Sequence, residues 1–295
     1  MHPQTEYKEV NYGYFSNQAT LTYNGTTTNS NIAYGEILDV LTVDKTAIEG
    51  SYTPNGTVTY VVTMRNTGNG ALNGLSVSDN LGGYDFGGTT LYPLTYIDGS
   101  ATLFIDGVLQ PAPAVTAGPP LVISGINIPS GSDAVLVYQA RANQYASPNL
   151  GGIINNTATV SGDGLSTPAI ASETVTANSA PILTISKSIT PSQIVENDRI
   201  TYTFVIQNSG NQDVVATDNA SVSDLFDPIL TALAVSLDGV AWTEGIQYNY
   251  DEATGLFNTI PGQITVPAAT YAQDPVTGAY SVTPGITTLT VTGTV

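Results

Sequence analysis

The chain has 295 residues, with 24 acidic and six basic side chains and a formal net charge of −18. This charge excludes nucleic acid as a partner, because phosphate binding needs clustered Lys and Arg. The absence of Cys excludes disulfides. The single His, His2, lies at the N-terminus, so we expect no Ser-His-Asp triad. No apolar run approaches the roughly 18 residues of a membrane span. We also expect no signal peptide, because residues 1–15 lack an apolar stretch.

The first element in chain order is a segment that matches the end of a later repeat. Asn17-Gln18-Ala19-Thr20-Leu21 corresponds to Asn156-Thr157-Ala158-Thr159-Val160. The later segment closes a repeat, whereas the first has no repeat before it to close. We therefore expect residues 1–36 to form an N-terminal arm whose strand, residues 16–23, is donated to another subunit.

Two copies of one module follow the arm, and motifs of the first copy return in the second in the same order. The matching pairs are residues 42–46 with 184–188, 57–60 with 199–202, 76–79 with 221–224, and 106–108 with 238–240. We place the first immunoglobulin-like domain at residues 37–178 and the second at residues 179–295. Residues 289–292 align with residues 135–138, so the second copy is expected to lack its final strand.

Within each copy, apolar side chains alternate with polar ones, which is typical of strands with one buried face. In the first copy the apolar face comprises Val58, Tyr60, Val62 and Met64. Gly, Pro and Asn separate the strands, and no helical pattern intervenes. The predicted fold class is therefore all-β: two tandem immunoglobulin-like antiparallel β-sandwiches plus an N-terminal donor-strand arm.

The repeat resembles a family of prokaryotic surface proteins. The resemblance is carried by Thr57-Val58-Thr59-Tyr60, Asn66-Thr67-Gly68-Asn69, Val77-Ser78-Asp79 and Asn156-Thr157-Ala158-Thr159-Val160. Together these motifs are similar to the repeat catalogued as domain of unknown function eleven. Two-repeat proteins of this size without a signal peptide resemble the subunits of clostridial spore appendages. The resemblance implies a structural protein that is made in the mother cell and released with the spore.

Six polar residues fall on faces that the alternation assigns to the core, where an unpaired charge would cost several kcal/mol. They are Lys45, Asp79 and Asn156 in the first module, Lys187 and Asp224 in the second module, and Asn17 in the arm. Each could also have an ordinary structural role: a Lys could extend to the rim of the sandwich, an Asp could cap a turn, and an Asn could bond to the backbone.

Lys, Asp and Asn that meet in an apolar core can form an amide. Burial lowers the pKa of the Lys and raises that of the Asp. The neutral amine then attacks the Asn carbonyl, the Asp polarises that carbonyl and moves the proton, and ammonia leaves. This is the isopeptide bond known in several immunoglobulin-like surface domains. We predict a bond from Lys45 to Asn156 within the chain, promoted by Asp79, and a bond from Lys187 to Asn17 between chains, promoted by Asp224.

These observations favour a structural subunit of an extracellular fibre on a bacterial spore or cell surface, forming a homopolymer. The alternative is an adhesive or carbohydrate-binding module, whose host or matrix ligand the sequence does not identify. A secreted hydrolase is disfavoured because no acid/base pair and no nucleophile with its base can be assembled, so we expect no enzyme beyond autocatalytic bond formation. We expect no cofactor and no metal. The acidic cluster Asp213, Asp218, Asn219 and Asp227 could hold Ca²⁺, but it lacks the spacing of an EF-hand loop, so solvated turns are the favoured interpretation.

Overall fold

The computed structural model describes residues 13–37 and 39–295. These residues form 28 β-strands and one short 3₁₀ turn, Ala216–Asp218. The fold is all-β and antiparallel, with tandem immunoglobulin-like β-sandwiches, as the sequence predicts. Among the described residues, no helix is long and apolar enough to cross a membrane.

The chain divides into two compact units. One contains the described residues up to Ala146 together with Ile153–Thr176, and the other contains Ser147–Gly152 together with Ala177–Val295. The domain boundaries after residues 36 and 178 stay predictions. Below, "first module" and "second module" denote the described residues of 37–178 and of 179–295.

The arm is a β-hairpin rather than the single strand that the sequence predicts. Its strands are β1 (Gly13–Asn17), β2 (Thr20–Tyr23), β3 (Thr26–Asn29) and β4 (Ala33–Ile37). β1 pairs with β4, and β2 pairs with β3. Asn24 and Gly25 close the hairpin with φ of 48° and 77°, the positive values that a two-residue type I′ turn needs. Residues 1–12 of the predicted arm lie outside the described residues.

The first module is built from 14 strands in two main sheets and a small hairpin. They are β5 (Leu41–Ala47), β6 (Ser51–Tyr52), β7 (Thr57–Asn66), β8 (Leu72–Asp79), β9 (Tyr84–Phe86), β10 (Thr89–Leu91), β11 (Leu94–Tyr96), β12 (Thr102–Ile105), β13 (Val108–Leu109), β14 (Ala114–Thr116), β15 (Leu121–Ile128), β16 (Asp133–Ala142), β17 (Ile153–Ser161) and β18 (Ala169–Ala177). Sheet 1 has the order β13-β12-β16-β7-β5, with β11 also on β16. Sheet 2 has the order β14-β15-β8-β17-β18-β6.

The core of the first module lies between these two sheets. The alternating face of β7 is wholly buried, as the sequence predicts, at Val58, Tyr60, Val62 and Met64. Sheet 2 contributes the fully buried side chains of Leu75, Val77, Ile123 and Ile126. Burial of this apolar area supplies the main stabilisation of the sandwich.

The second module repeats part of this arrangement with ten strands. They are β19 (Leu183–Thr190), β20 (Arg199–Asn208), β21 (Ser223–Leu225), β22 (Thr231–Leu237), β23 (Val240–Trp242), β24 (Tyr248–Asp251), β25 (Leu256–Thr259), β26 (Thr270–Gln273), β27 (Tyr280–Thr283) and β28 (Gly285–Thr294). Sheet 3 has the order β19-β20-β28-β22-β23, which corresponds to the order β5-β7-β16-β12-β13 in sheet 1. Sheet 4 has the order β21-β25-β24, and β26 and β27 form a separate hairpin.

Sheet 4 reproduces only one side of sheet 2. β24, β25 and β21 take the places of β14, β15 and β8, but sheet 4 ends at β21. In the first module the neighbouring places are filled by β17 and β18. Among the described residues, the second module has no strand in those two places.

The strand pairing corrects one detail of the repeat alignment. Tyr138 lies opposite Tyr60 in the first module, and Val291 lies opposite Tyr202 in the second. Val291 therefore occupies the place of Tyr138, one residue away from the alignment of 289–292 with 135–138. The residues 135–138 are all apolar or aromatic, so the sequence of this stretch does not show which parity faces the core, and the one-residue offset is visible only in the strand pairing.

Candidate cross-link sites

A tight turn after β8 brings Asp79 and Asn156 onto neighbouring strands. The Asn80 side-chain oxygen accepts the backbone N–H groups of Gly82 at 3.0 Å and Thr157 at 2.9 Å. The Asn80 N–H in turn donates to the carbonyl of Thr157 at 3.0 Å. These bonds fix β17 against the end of β8, with Ala158 directly opposite Asp79.

Asp79 is the centre of a buried polar cluster. Lys45, on β5 of sheet 1, donates to its Oδ2 at 2.5 Å, and both side chains are fully buried. The hydroxyl of Tyr138 donates to the same oxygen, and the Leu81 N–H donates to Oδ1 at 2.8 Å. Three donors compensate a carboxylate that has no access to water.

Asn156 completes the cluster from β17. Its side-chain Oδ1 accepts the N–H of Gly82 at 3.2 Å, whereas its Nδ2 is buried and makes no hydrogen bond. The N–H of Gly82 polarises the carbonyl and lies where negative charge develops during attack at the carbon. In amide formation Nδ2 would be the leaving group. A buried polar atom without a partner is costly in a stable core.

The electrostatics of the cluster favour a reactive amine. Burial lowers the pKa of Lys45, and this outweighs the opposing effects of Asp79 and Glu173. Burial and the charge of Asp79 raise the pKa of Tyr138 well above its usual value. Burial likewise raises the pKa of Tyr60, whose ring lies 4.8 Å from the Lys45 ammonium. Both hydroxyls therefore stay neutral, and Tyr138 remains a hydrogen-bond donor at any ordinary pH.

This arrangement can form an amide without any outside reagent. Lys45 passes a proton to Asp79, and its Nζ forms a bond to Cγ of Asn156. The bond from Cγ to Nδ2 then breaks, and Nδ2 leaves as ammonia after taking a proton released by the attacking nitrogen. The products are a neutral amide, ammonia and a protonated Asp79, so atoms and charge balance.

The second module contains the matching Lys and Asp in a more open setting. Lys187 on β19 forms an ion pair with Oδ2 of Asp224, and its ammonium lies 4.4 Å from the centroid of the Tyr202 ring. The side chains are 39% and 18% exposed, respectively. Apart from Lys187, Oδ2 of Asp224 has no donor among the described residues, because Val291 stands where Tyr138 supplies a hydroxyl in the first module. Lys187, which the sequence places in the core, is thus only partly buried.

The apolar face around Lys187 is uncovered as well. Val43 on β5 is 8% exposed, whereas Ile185, its counterpart on β19, is 56% exposed. Leu183 and Ile189 on the same strand are also exposed. In the first module this face is covered by the sheet that includes β17. The difference follows from the places that are unfilled in sheet 4.

The edge of sheet 4 that faces these places is open. Among the described residues, β21 pairs only with β25, and the backbone of Val222 also bonds on that side, to Thr259. The equivalent residues of β8 pair with β17 on their other side, including Val77 with Val160. An unpaired edge beside an apolar surface is a site for the addition of a strand.

Asn17 lies at the end of β1 in the arm, and the chain around it is exposed. It belongs to one compact unit, and Lys187 and Asp224 belong to the other. The structure therefore assembles Lys45, Asp79 and Asn156 within one unit, but it does not place Asn17 with Lys187 and Asp224. The bond between chains stays a proposal.

Two of the acidic residues considered for calcium accept backbone N–H groups, Asp213 from a distant part of the module and Asp218 within a local turn. Asp213 accepts the N–H of Ala268 at 2.6 Å, and Asp218 accepts the N–H of Val215 at 2.8 Å. In the part of the chain that the structure describes, no group of three or more His, Cys, Asp or Glu side chains could hold a metal ion.

Sequence reasoning missed Tyr138, Asn80 and Gly82. Tyr138 carries a signal that could have been used, because its position has the same inward parity as Leu136 and Ala140 on an alternating strand. Asn80 and Gly82 act through the backbone of a turn, and their role depends on which strand the turn touches.

No protein-family model matches this chain, and no curated protein matches it in sequence. Solved structures of Gram-positive pilins are similar to it. Full-length major pilin SpaD from Corynebacterium diphtheriae is 10% identical, with a TM-score of 0.35, over 83% of this chain and 59% of that one. A C-terminal fragment of the major pilin GBS80 of Streptococcus agalactiae is 12% identical, with a TM-score of 0.35, over 84% and 91%.

A variant of BcpA, the major pilin subunit of Bacillus cereus, is 9% identical, with a TM-score of 0.36, over 90% of this chain and 70% of that one. At such identities the likeness concerns the fold alone. The resemblance to the repeat of domain of unknown function eleven and to spore appendages therefore stays a prediction.

Proposed function

We propose that this chain is the structural subunit of an extracellular bacterial fibre. The arm of one subunit completes the second module of the next, so that subunits join head to tail. The sequence resemblance favours a spore appendage as the fibre. The chain is not an enzyme apart from the autocatalytic formation of its own cross-links.

The observation that carries this proposal is the early end of sheet 4. In the first module, the β17–β18 hairpin closes the sandwich over the face of β5. In the second module the same face is open among the described residues, and the arm is a hairpin whose leading half, β1 and β2, is similar in sequence to β17. A module that lacks a hairpin and an arm that carries the matching hairpin are complementary.

The cross-links follow from the same arrangement. Within the first module, Lys45 bonds to Asn156 with Asp79 as the acid that moves the proton. When a neighbouring arm fills the second module, its Asn17 takes the place of Asn156, beside Lys187 and Asp224. Each bond ties the first strand of a module, β5 or β19, to the strand that carries the Asn, which limits mechanical unfolding in a chain that has no disulfides.

Negative-stain microscopy of the intact chain and of a variant that lacks residues 1–37 tests the proposal. The intact chain is expected to form filaments, and the variant is expected to stay monomeric. A synthetic peptide of residues 13–37, added in excess, should occupy the acceptor modules and shorten the filaments, and a scrambled peptide is the matched control. Filaments that form equally well without the arm would contradict strand donation.

The adhesive alternative has one supporting observation in the first module. A surface cleft of about 330 Å³ is lined by aromatic and polar side chains, among them Tyr92, Tyr96, Asp98 and Asn143. Rings beside hydrogen-bonding groups are typical of sugar sites. The Asn143 amide, however, already donates to the Tyr92 carbonyl at 2.8 Å and to Thr95 at 3.0 Å. Glycan binding that is lost in Tyr92→Ala would favour this function.

A further inference from the structure

We propose that Leu21 of one chain is the side chain that anchors the arm in the second module of another copy. It enters the cleft between β19 and the Val222 segment, in a register that pairs Thr20 with Ser223. This inference rests on the proposed function and deepens it, because it names the contact and the register that select the partner.

The cleft has the size and chemistry for an aliphatic side chain. Its volume is about 170 Å³. Its lining is mainly apolar and includes Leu183, Ile185, Ile206, Val222 and Ile264. It lies beside the open edge of β21, where an added strand would pass. An exposed apolar cleft of this kind is stabilised when an apolar side chain fills it.

The first module shows what covers the equivalent surface. There Val160 of β17 lies opposite Val77, and Thr159 lies opposite Ser78. Val77 and Ser78 correspond to Val222 and Ser223 in the second module. Val160 and Thr159 correspond to Leu21 and Thr20 in the arm. Transfer of the register therefore places Leu21 opposite Val222, which lines the cleft.

The arm presents this side chain in a form ready to bind. Leu21 is 65% exposed. It alternates with Thr20 and Thr22, so one face of β2 is apolar and the other is polar. β3 pairs with β2 along the far edge, as β18 pairs with β17. In the proposed complex, β2 would therefore pair with the open edge of β21, and β3 would lie on the side of β2 that faces away from β21.

The same register accounts for the position of the reactive Asn. In the first module, Ala158 lies opposite Asp79, and Asn156 lies two residues before it on the strand. In the proposed complex, Ala19 lies opposite Asp224, and Asn17 lies two residues before Ala19. A shift of one residue would turn both Leu21 and Asn17 to the other face of the strand. Anchoring by Leu21 therefore positions Asn17 toward Lys187.

The absence of Cys in this chain allows the register to be measured directly. Opposed residues on paired strands have Cα atoms about 4.5–5.5 Å apart, which suits a disulfide. A Lys187→Ala chain with Thr20→Cys is mixed under mild oxidation with a Lys187→Ala chain with Ser223→Cys. Because Lys187→Ala removes the proposed amide, a disulfide is then the covalent bond that can join two chains. We expect a dimer on a non-reducing denaturing gel. The matched control, Thr20→Cys with Ser221→Cys, should give little dimer.

Each outcome decides a separate question. Dimers from the Ser221 pair instead of the Ser223 pair would overturn the register but leave strand donation standing. No dimer from either pair, in chains that still need the arm to assemble, would show that the arm seats elsewhere. If one chain with both Thr20→Cys and Ser223→Cys forms only an internal disulfide, the arm serves its own chain, and the inference is wrong. Assembly of chains that lack the arm would instead contradict the proposed function itself.

A second variant tests the anchor. Leu21→Ala should raise the protein concentration needed for assembly by at least roughly tenfold, because it removes the apolar contact with the cleft. Tyr34→Ala, on the return strand of the hairpin, is the control and should have little effect. Normal assembly of Leu21→Ala would overturn the anchoring role. It would leave strand donation to be judged by deletion of the arm.

Discussion

The Nζ atom of Lys45 lies 2.5 Å from Oδ2 of Asp79, and neither side chain is exposed to solvent. A buried ion pair gains strong attraction, but both charges lose their hydration, and the two terms nearly cancel. Transfer of the proton followed by amide formation leaves a neutral amide and a neutral carboxyl group. The reaction thus removes the cost of holding two charges in the core, and ammonia escapes to solvent.

The first prediction concerns the mass of the chain. A soluble variant that lacks residues 1–37 is expected to weigh one ammonia less than its sequence, because only Lys45 and Asn156 can react within it. Intact-mass spectrometry measures this directly. Asp79→Ala should restore the full mass, since no group remains to take the proton from Lys45. Asp133→Ala is the matched control, because its ion pair with Arg65 is exposed; a full mass in the parent variant would contradict the bond.

The second prediction concerns stability in chains that cannot form the bond. In an Asn156→Ala background, Lys45→Ala should lower the free energy of unfolding of the first module by about 3–5 kcal/mol, because it leaves Asp79 buried without its counter-charge. Urea titration provides the measurement. Lys187→Ala should have a much smaller effect on the second module, since that side chain is 39% exposed. Equal losses of unfolding free energy in the two modules would show that burial of the ion pair does not determine the effect of removing the Lys.

The third prediction is the pH dependence of bond formation. Burial lowers the pKa of Lys45 below the ordinary 10.5, so the neutral amine appears at a lower pH than in an exposed Lys. Chain recovered unreacted in denaturant is refolded at a series of pH values, and ammonia loss is followed by mass. The rate should rise with pH as Lys45 loses its proton, and it should reach its plateau below the ordinary value of 10.5. A rate that still rises beyond that pH would contradict the lowered pKa.

The fourth prediction separates two glycines of similar backbone conformation. Gly82 and Gly74 have φ of 69° and 65°. A Cβ on Gly82 would lie 2.5 Å from Cγ2 of Ile154, whereas a Cβ on Gly74 meets no atom within 4 Å. Gly82→Ala should therefore displace the N–H that polarises Asn156 and slow ammonia loss. Gly74→Ala carries the same backbone strain without the clash, and its reaction rate should be close to that of the parent.

Alternation predicts much of this structure from the sequence. It assigns Val58, Tyr60, Val62 and Met64 to the core, and all four are wholly buried. It could not predict that Lys187 would be partly exposed, because parity gives the face of a residue and not what covers that face. It also could not reveal the hairpin form of the arm. That form depends on the pairing of β1 with β4 and of β2 with β3, which β-propensity does not specify.

For the cluster around Asp79, too, the sequence predicts some of the residues and cannot predict others. Lys45, Asp79 and Asn156 can be proposed from residue type and parity, since their strands are recognisable. The bond from Tyr138 to Asp79 depends on the separation of two sheets, and that distance is set by packing of side chains from many strands. The turn at Asn80 depends on the contact between β8 and β17. Both features belong to tertiary structure.

The most direct test of the central claim is peptide mapping of assembled material after boiling in detergent. A denaturing gel should show a ladder, and mass spectrometry of its upper bands should find the peptide that contains Lys187 joined to the peptide that contains Asn17, with one ammonia missing. Lys187→Ala and Asn17→Ala should each collapse the ladder to monomer, whereas Lys45→Ala should leave it. Wild-type filaments that dissolve to monomers, with Lys187 and Asn17 both unmodified, would contradict the covalent link between chains.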